Sequence, residues 1–274
     1  MSTNTPYSPG SPKSLGQHFL TDTTVLDEII QAAELTRNDL VVEVGPGRGI
    51  LTNRLIAHAG HILAIELDAK LANRIETQLG HPKNLTSIIG DARYTDINEL
   101  IGPNNKFKMV SNLPYYAANP IVRHFLELPH KPQVMVVMVQ EEVAKSMVAD
   151  PGQMGILSVA VQYYAKTKLV CTVPPQAFYP IPKVSSAVVK MEIYQESPFQ
   201  LANTDAFFRL VKAGFRAPRK KLHNSLSRGL NIPTASAITL IEMSGIDPNR
   251  RPASLSIDDW ITLYSRWLES NWLC

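Results

Sequence analysis

Residues 40–49 read LVVEVGPGRG, a short apolar run that ends in a glycine-rich turn. β-branched residues favour a strand, and the glycines allow a sharp turn into a following helix. Further runs of strand length, each followed by apolar positions at helical spacing, are HILAIE (61–66), LTSIIG (85–90), FKMVSN (107–112) and VMVVMV (134–139). This alternation predicts an α/β fold with a parallel sheet, helices on both faces and ligands at the carboxyl ends of the strands.

The composition predicts a globular protein of one domain plus a smaller one. The chain has 274 residues, of which 45% are hydrophobic and 19% charged, which excludes disordered and fibrous classes. No run of about 18 apolar residues predicts a membrane span, and the first residues lack the features of a signal peptide, so we expect a cytoplasmic protein. Two distant cysteines and seven scattered histidines predict neither a disulfide nor a metal site.

The positive charge is concentrated in one segment. Residues 205–230 carry seven basic residues against Asp205 alone, a net charge of +6, whereas the whole chain carries only +3. The basic residues recur at helical spacing and are Arg209, Lys212, Arg216, Arg219, Lys220, Lys221 and Arg228. A basic stripe of this kind is typical of contacts with nucleic-acid phosphates. We therefore predict a disordered segment over 1–13, a catalytic domain over 14–194 and an all-helical RNA-binding domain over 204–274.

The strand ends predict a site for an adenosine-containing ligand. The turn beginning at Gly45 has Ile50 where a dinucleotide fingerprint needs glycine, and it lacks the Lys-Ser/Thr pair of a P-loop. Glu66 ends the second strand, where a carboxylate can accept both ribose hydroxyls. Asp91 ends the third strand, where it can accept a hydrogen bond from the amine of adenine. Together these features favour a nucleoside ligand without phosphates.

Residues 112–115 read NLPY at the end of the fourth strand. This motif resembles the catalytic motif of adenine N6-methyltransferases that depend on S-adenosyl-L-methionine. The resemblance implies that the Asn112 side-chain oxygen and the Leu113 carbonyl accept hydrogen bonds from the amino group of the target base. It further implies that Pro114 fixes the bend and that Tyr115 offers an aromatic face to an adenine removed from its stack.

The order of the motifs favours one family within this class. The motifs are GQHFL (16–20), VVEVGPGRGILT (41–52), IELD (65–68), GDA (90–92), NLPY (112–115) and VPPQAFYPIPKVSSAVV (173–189). Their order resembles the KsgA/RsmA family, from about Ser14 to the last helix. The resemblance implies a Rossmann-like class I methyltransferase domain, with a mostly parallel seven-stranded sheet and an antiparallel final strand. It also implies dimethylation of two adjacent adenosines near the 3′ end of 16S ribosomal RNA, in the small ribosomal subunit.

The resemblance assigns site residues position by position. The implied cofactor contacts are His18, Leu20, Gly45, Gly47, Glu66, Asp91, Ala92 and Asn112. The implied catalytic residues are Asn112, Leu113, Pro114, Tyr115 and Phe178. His18 is expected to contribute backbone contacts, and Phe178 to stack opposite Tyr115, although a core role for Phe178 stays open.

Two other functions remain open from the sequence, and a third is excluded. An Erm-type methyltransferase that acts on 23S RNA shares the fold and an Asn-x-Pro-Tyr motif. A ribosome-assembly factor could use the same fold for binding alone, although Asn112, Glu66 and Asp91 argue against binding without catalysis. A dinucleotide oxidoreductase is excluded by Ile50 and has no use for the NLPY motif. Nothing in the sequence suggests an obligate dimer, so we expect a monomer.

Overall fold

The computed structural model describes residues 18–102, 105–199 and 201–270, so the predicted disorder of residues 1–13 lies outside the described residues. The chain divides into two compact units. The first, here called the sheet unit, contains the chain up to Ala144 together with Leu169–Met191. The second, the helical unit, contains Lys145–Lys168 together with the chain from Glu192 onward.

A seven-stranded sheet forms the centre of the fold. In chain order the strands of the structure are β1 (Phe19–Leu20), β2 (Leu40–Val44), β3 (His61–Glu66), β4 (Leu85–Ile89), β5 (Phe107–Asn112), β6 (Val134–Gln140), β7 (Ala165–Val173), β8 (Phe178–Tyr179) and β9 (Ser186–Ile193). The seven-stranded sheet has the order β4-β3-β2-β5-β6-β9-β7. The first five strands in this order, β4, β3, β2, β5 and β6, pair in parallel. The sheet also contains an antiparallel strand, which confirms the predicted fold class.

The helices of the sheet unit are α1 (Thr23–Ala33), α2 (Ile50–His58), α3 (Ala69–Gln78), α4 (Ile97–Ile101) and α5 (Ala118–Glu127), and α6 (Glu141–Met147) crosses the boundary of the units. Three of these helices, α1, α3 and α4, begin after an aspartate that caps them. The Asp22 carboxylate accepts a hydrogen bond from the Thr24 N–H at 2.8 Å, and Asp68 caps α3 in the same way through Lys70. Strands β2 and β3 are almost fully buried, as at Val41 and Val42, because helices cover both faces.

A second, two-stranded sheet joins distant parts of the chain. In this sheet β1 pairs antiparallel with β8, so that Leu20 lies opposite Phe178. The Thr21 N–H donates to the Ala177 carbonyl at 2.8 Å and extends the pairing. The sequence did not predict this sheet, since each strand has only two residues. Its effect is to hold residues 18–20 beside Phe178.

The helical unit has a core of its own. Its helices are α7 (Ile156–Tyr164), α8 (Thr204–Gly214), α9 (Leu222–Leu230), α10 (Thr234–Met243) and α11 (Ile257–Glu269). Two glycines permit close packing: a Cβ at Gly214 would overlap the ring of Trp260, and a Cβ at Gly229 would overlap Ala213. The described ranges contain no helix with both the length and the apolar character needed to cross a bilayer.

The helical unit differs from the predicted domain of residues 204–274. Residues 145–168, assigned by the sequence to the catalytic domain of 14–194, belong to the helical unit. The reason is the apolar face of α7, whose Val159 and Tyr163 are buried in the same core as Phe207. The Tyr163 and Phe207 rings lie 5.4 Å apart. Because α7 lies in the chain between two sheet strands, its position in the sequence gave the wrong assignment.

Candidate active site

An open pocket lies at the carboxyl ends of the central strands. All the predicted cofactor and catalytic residues line it, namely His18, Leu20, Gly45, Gly47, Glu66, Asp91, Ala92, Asn112, Leu113, Pro114, Tyr115 and Phe178. Parallel strands bring their carboxyl ends to one edge of a sheet, which explains why residues so far apart in sequence meet here.

The glycine turn between β2 and α2 brings backbone close to the pocket. Gly45, Gly47 and Gly49 have φ values of 70°, 57° and 75°, in the left-handed region that glycine adopts without strain. A Cβ at Gly47 would also lie 3.2 Å from the Phe19 ring. Gly47 therefore meets two requirements, the left-handed turn and the space beside Phe19.

Glu66 is buried at the end of β3 and supports the glycine turn. Its Oε2 accepts a hydrogen bond from the Gly47 N–H, and its Oε1 accepts one from the Asp68 N–H, both at 3.0 Å. Burial raises the pKa of Glu66 above its ordinary value, while these two N–H donors act in the opposite direction. A carboxylate has about four acceptor positions, so both oxygens retain capacity for the hydroxyls of a ribose.

Asp91 carries an ion pair that the sequence analysis missed. Both of its carboxylate oxygens accept hydrogen bonds from the Arg93 guanidinium, with Nε at 2.9 Å from Oδ1 and 3.1 Å from Oδ2. The guanidinium holds the pKa of Asp91 below its ordinary value, so the side chain is a carboxylate and an acceptor. The neighbouring Ala92 is buried in the pocket wall.

Glu43 is a buried pocket residue that the sequence did not indicate. It lies in β2 just before the glycine turn and is only 1% exposed. Burial raises its pKa to about 8. Its Oε2 has no hydrogen-bond partner among the described residues, although Glu43 lines the pocket. With a pKa raised to about 8, the buried Glu43 side chain keeps its proton at neutral pH, so it can donate a hydrogen bond as well as accept one beside the pocket.

The NLPY segment forms a turn at the end of β5. The Leu113 N–H donates to the Met138 carbonyl, and the Ala117 N–H to the Pro114 carbonyl, both at 3.0 Å. These bonds fix the turn from both sides. The Asn112 side chain makes no hydrogen bond with the described residues, so its amide is available to a ligand in the pocket.

Three aromatic residues surround the end of this turn. The Tyr115 hydroxyl lies 2.6 Å from the Ser186 Oγ, and its ring stacks on His18 with centroids 6.1 Å apart. The His18 Nδ1 donates to the Pro180 carbonyl at 2.7 Å, which fixes the orientation of the imidazole. Phe178 is 2% exposed and belongs to the core of the sheet unit, yet it also lines the pocket. Phe178 therefore belongs both to the pocket wall and to the core of the sheet unit.

The comparison with protein families now decides the class. The model of the family described as "Ribosomal RNA adenine dimethylase" matches residues 11–268. The chain belongs to this family. The activity predicted from the motifs, that of an adenine dimethyltransferase which uses S-adenosylmethionine, is thereby confirmed.

Several known proteins are similar to this dimethylase. "Ribosomal RNA small subunit methyltransferase A" of Dehalococcoides mccartyi is 44% identical, over 93% of this chain and 87% of the relative. The protein of the same name from Clostridium botulinum is 40% identical, over 90% of each chain. Among solved structures, a dimethyladenosine transferase from Plasmodium falciparum has a TM-score of 0.79 at 26% identity, covering 92% of this chain and 98% of that one. The 23S rRNA methyltransferase ErmE has a TM-score of 0.73 at 25% identity, covering 90% and 98%.

The predicted RNA-binding residues of the dimethylase lie in the helical unit. All seven are exposed, on α8, on α9 and on the turn between these helices. The Lys221 Nζ donates to the Asn249 side chain at 2.7 Å, and the Arg209 guanidinium lies 6.0 Å from the centre of the Trp267 ring. The described residues contain no group of three or more His, Cys, Asp or Glu side chains that could hold a metal ion.

Proposed function

We propose that the dimethylase methylates N6 of two adjacent adenosines in the 3′-terminal hairpin loop of 16S ribosomal RNA. The observation that carries this proposal is the Asn112–Tyr115 turn, whose unpartnered Asn112 amide lines the pocket. The choice of small-subunit RNA is supported by relatives at 40% and 44% identity whose names specify the small subunit.

The cofactor is held by residues at three strand ends. The backbone of Gly45 and Gly47 receives its amino acid part, Glu66 accepts the ribose hydroxyls, and the Asp91 carboxylate accepts the adenine amine. Ala92, Leu20 and the backbone at His18 complete the walls. When bound, S-adenosylmethionine supplies an electrophilic methyl group.

The residues of the NLPY turn prepare the target nitrogen. The lone pair of the adenine amino nitrogen is delocalised into the ring, so this nitrogen is a poor nucleophile. The Asn112 side-chain oxygen and the Leu113 carbonyl accept hydrogen bonds from this amino group and favour a tetrahedral nitrogen. Tyr115 and Phe178 hold the flipped base by its faces, and the hydrogen bond to Ser186 limits rotation of the Tyr115 ring. The reaction thus depends on positioning, with no covalent enzyme intermediate.

The same turn serves both methylations of one adenosine. After the first methylation the nitrogen keeps one hydrogen, which still donates a hydrogen bond to the neutral amide oxygen of Asn112. Once the nitrogen is alkylated its proton is acidic enough to pass to water, so no dedicated base is required. Pro114 keeps the two acceptors at a fixed separation because its ring restricts the backbone.

The exposed basic surface of the helical unit holds the phosphates of the RNA. We further propose that the enzyme acts as a monomer, and in the cytoplasm, where ribosomal subunits are its substrate. A role in small-subunit biogenesis follows from this choice of substrate.

The test compares Asn112→Ala with the wild type. Each protein is incubated with S-adenosylmethionine and unmethylated small subunits, and the RNA is analysed by mass spectrometry. We expect two adjacent dimethyladenosines with the wild type and a loss of at least about 100-fold in rate with Asn112→Ala. The loss of cofactor affinity should be much smaller, because Glu66, Asp91 and the glycine turn still hold the cofactor. Asn53→Ala, at an exposed position of α2, is the matched control. Near-normal turnover by Asn112→Ala would refute the proposed role.

A second candidate function is the methylation of 23S RNA, since the ErmE structure is similar over 90% of the chain. The same assay with large-subunit RNA distinguishes the two. Modified large-subunit RNA with unmodified small-subunit RNA would overturn the proposal. Binding to subunits without any methylation would instead indicate an assembly factor.

A further inference from the structure

Two exposed tyrosines lie beside the pocket and have no role in the mechanism above. Tyr94 is 78% exposed and Tyr116 is 55% exposed. Tyr94 lies two residues after Ala92, in the loop that follows β4, and Tyr116 comes directly after the NLPY turn. Large exposed aromatic rings beside a site are typical of surfaces that bind a partner.

Arg93 packs against Tyr94 and lines the pocket together with Tyr116. Its guanidinium lies 5.3 Å from the centre of the Tyr94 ring. The hydrogen bonds with Asp91 chiefly raise the pKa of Arg93, and Tyr94 and Tyr116 add smaller electrostatic effects in the same direction. Arg93 and Tyr116 also line the pocket itself. The three side chains thus form one continuous surface at its edge.

The pairing with Asp91 gives this surface a fixed shape. Arg93 donates to both oxygens of Asp91, so the plane of the guanidinium is held in one orientation. Its charge is largely balanced by that carboxylate. The surface is therefore better suited to stacking on a base than to binding a phosphate through a free positive charge.

A dimethylase that acts on adjacent adenosines must unstack the neighbour of the base that it flips. Removing a base from a stack is unfavourable by a few kcal/mol, and aromatic rings or guanidinium planes can replace the lost contacts. We propose that Arg93, Tyr94 and Tyr116 form a stacking surface for the nucleotide adjacent to the target adenosine. This inference rests on the proposed function, which places the target base at Asn112.

A second exposed group, Tyr179 and Ile181, comes directly after the pocket residue Phe178 in the sequence. It contains one aromatic ring and no arginine, so it offers fewer faces on which a base can stack. The Arg93 surface is therefore the better fit for the neighbouring base, and Tyr179 provides a matched control that is equally exposed.

The test uses hairpin RNA that carries 2-aminopurine next to the target adenosine, because stacking on an aromatic ring quenches the fluorescence of this base. We expect the signal to stay quenched when the wild type binds, because stacking on the protein replaces the lost stacking on the target adenosine. The double variant Tyr94→Leu/Tyr116→Leu should lose most of the quenching and about 5- to 100-fold in RNA affinity. Tyr94→Phe/Tyr116→Phe should retain both, and so should Tyr179→Leu. Affinity for S-adenosylhomocysteine should be the same in all four proteins.

Two results would overturn the inference: undiminished quenching by the double leucine variant, or loss of quenching in Tyr179→Leu. The proposed function is judged separately, by methylation with the wild type and with Asn112→Ala. Active wild type and inactive Asn112→Ala, combined with normal quenching by the leucine variant, would reject the stacking surface alone. Absence of methylation by the wild type would reject the proposed function, whatever the fluorescence shows.

Discussion

The buried Glu43 makes the stability of the sheet unit depend on pH. Its pKa is raised from 4.5 to about 8, chiefly by burial, with a smaller effect of Glu66. Between these values the folded protein holds a proton that the unfolded chain releases. The free energy of unfolding therefore falls as the pH rises from 4.5 through 8. For a shift of this size, we expect a loss of about 4 kcal/mol between about pH 5 and about pH 9.

The substitution Glu43→Gln removes this titration and keeps the shape of the side chain. Unfolding of wild type and variant is followed by circular dichroism across this pH range, and the difference between the two curves isolates Glu43 from other groups. We expect a difference that grows with pH in favour of the variant, whereas Glu28→Gln, at an exposed position of α1, should run parallel to the wild type. Parallel curves for Glu43→Gln would refute the argument, because they would mean that Glu43 has the same pKa in both states.

Three further predictions concern other parts of the molecule. Gly229→Ala should lower the stability of the helical unit by about 1 to 3 kcal/mol in thermal unfolding, because the added methyl group overlaps Ala213. Gly47→Ala should weaken S-adenosylmethionine binding in calorimetry, since the backbone there is left-handed and close to Phe19, while RNA affinity should not change. Replacing the three basic residues of 219–221 by glutamine should reduce the slope of log affinity for RNA against log salt concentration by about 2 to 3, and an unchanged slope would place the phosphates elsewhere.

The strands of the sheet could be predicted from sequence almost to the residue. The runs at 40–44, 61–66 and 107–112 coincide with β2, β3 and β5, because a strand buried on both faces leaves a continuous apolar run. The predicted glycine turn likewise marks the start of α2. Local patterns suffice wherever a segment's structure depends on its own residues and on burial.

Long-range contacts could not be predicted in this way. The pairing of β1 with β8 and the packing of α7 in the helical unit depend on partners more than forty residues away. The pocket shows the same limit. Asp91 and Glu66 follow from their positions at strand ends, but the burial of Glu43 in the strand and the ion pair of Arg93 with Asp91 depend on how side chains meet in space.

The two-residue pairing of β1 with β8 has a consequence for the order of events during synthesis. One part of the pocket wall is formed by residues 18–20 together with the neighbouring Phe178, and β9, an inner strand of the sheet, follows later still. A nascent chain that contains every glycine and acid of the cofactor site therefore lacks the strand that holds residues 18–20 in place until Phe178 has been synthesised. The order of the sheet thus delays the completion of the active site until about two thirds of the chain has been made.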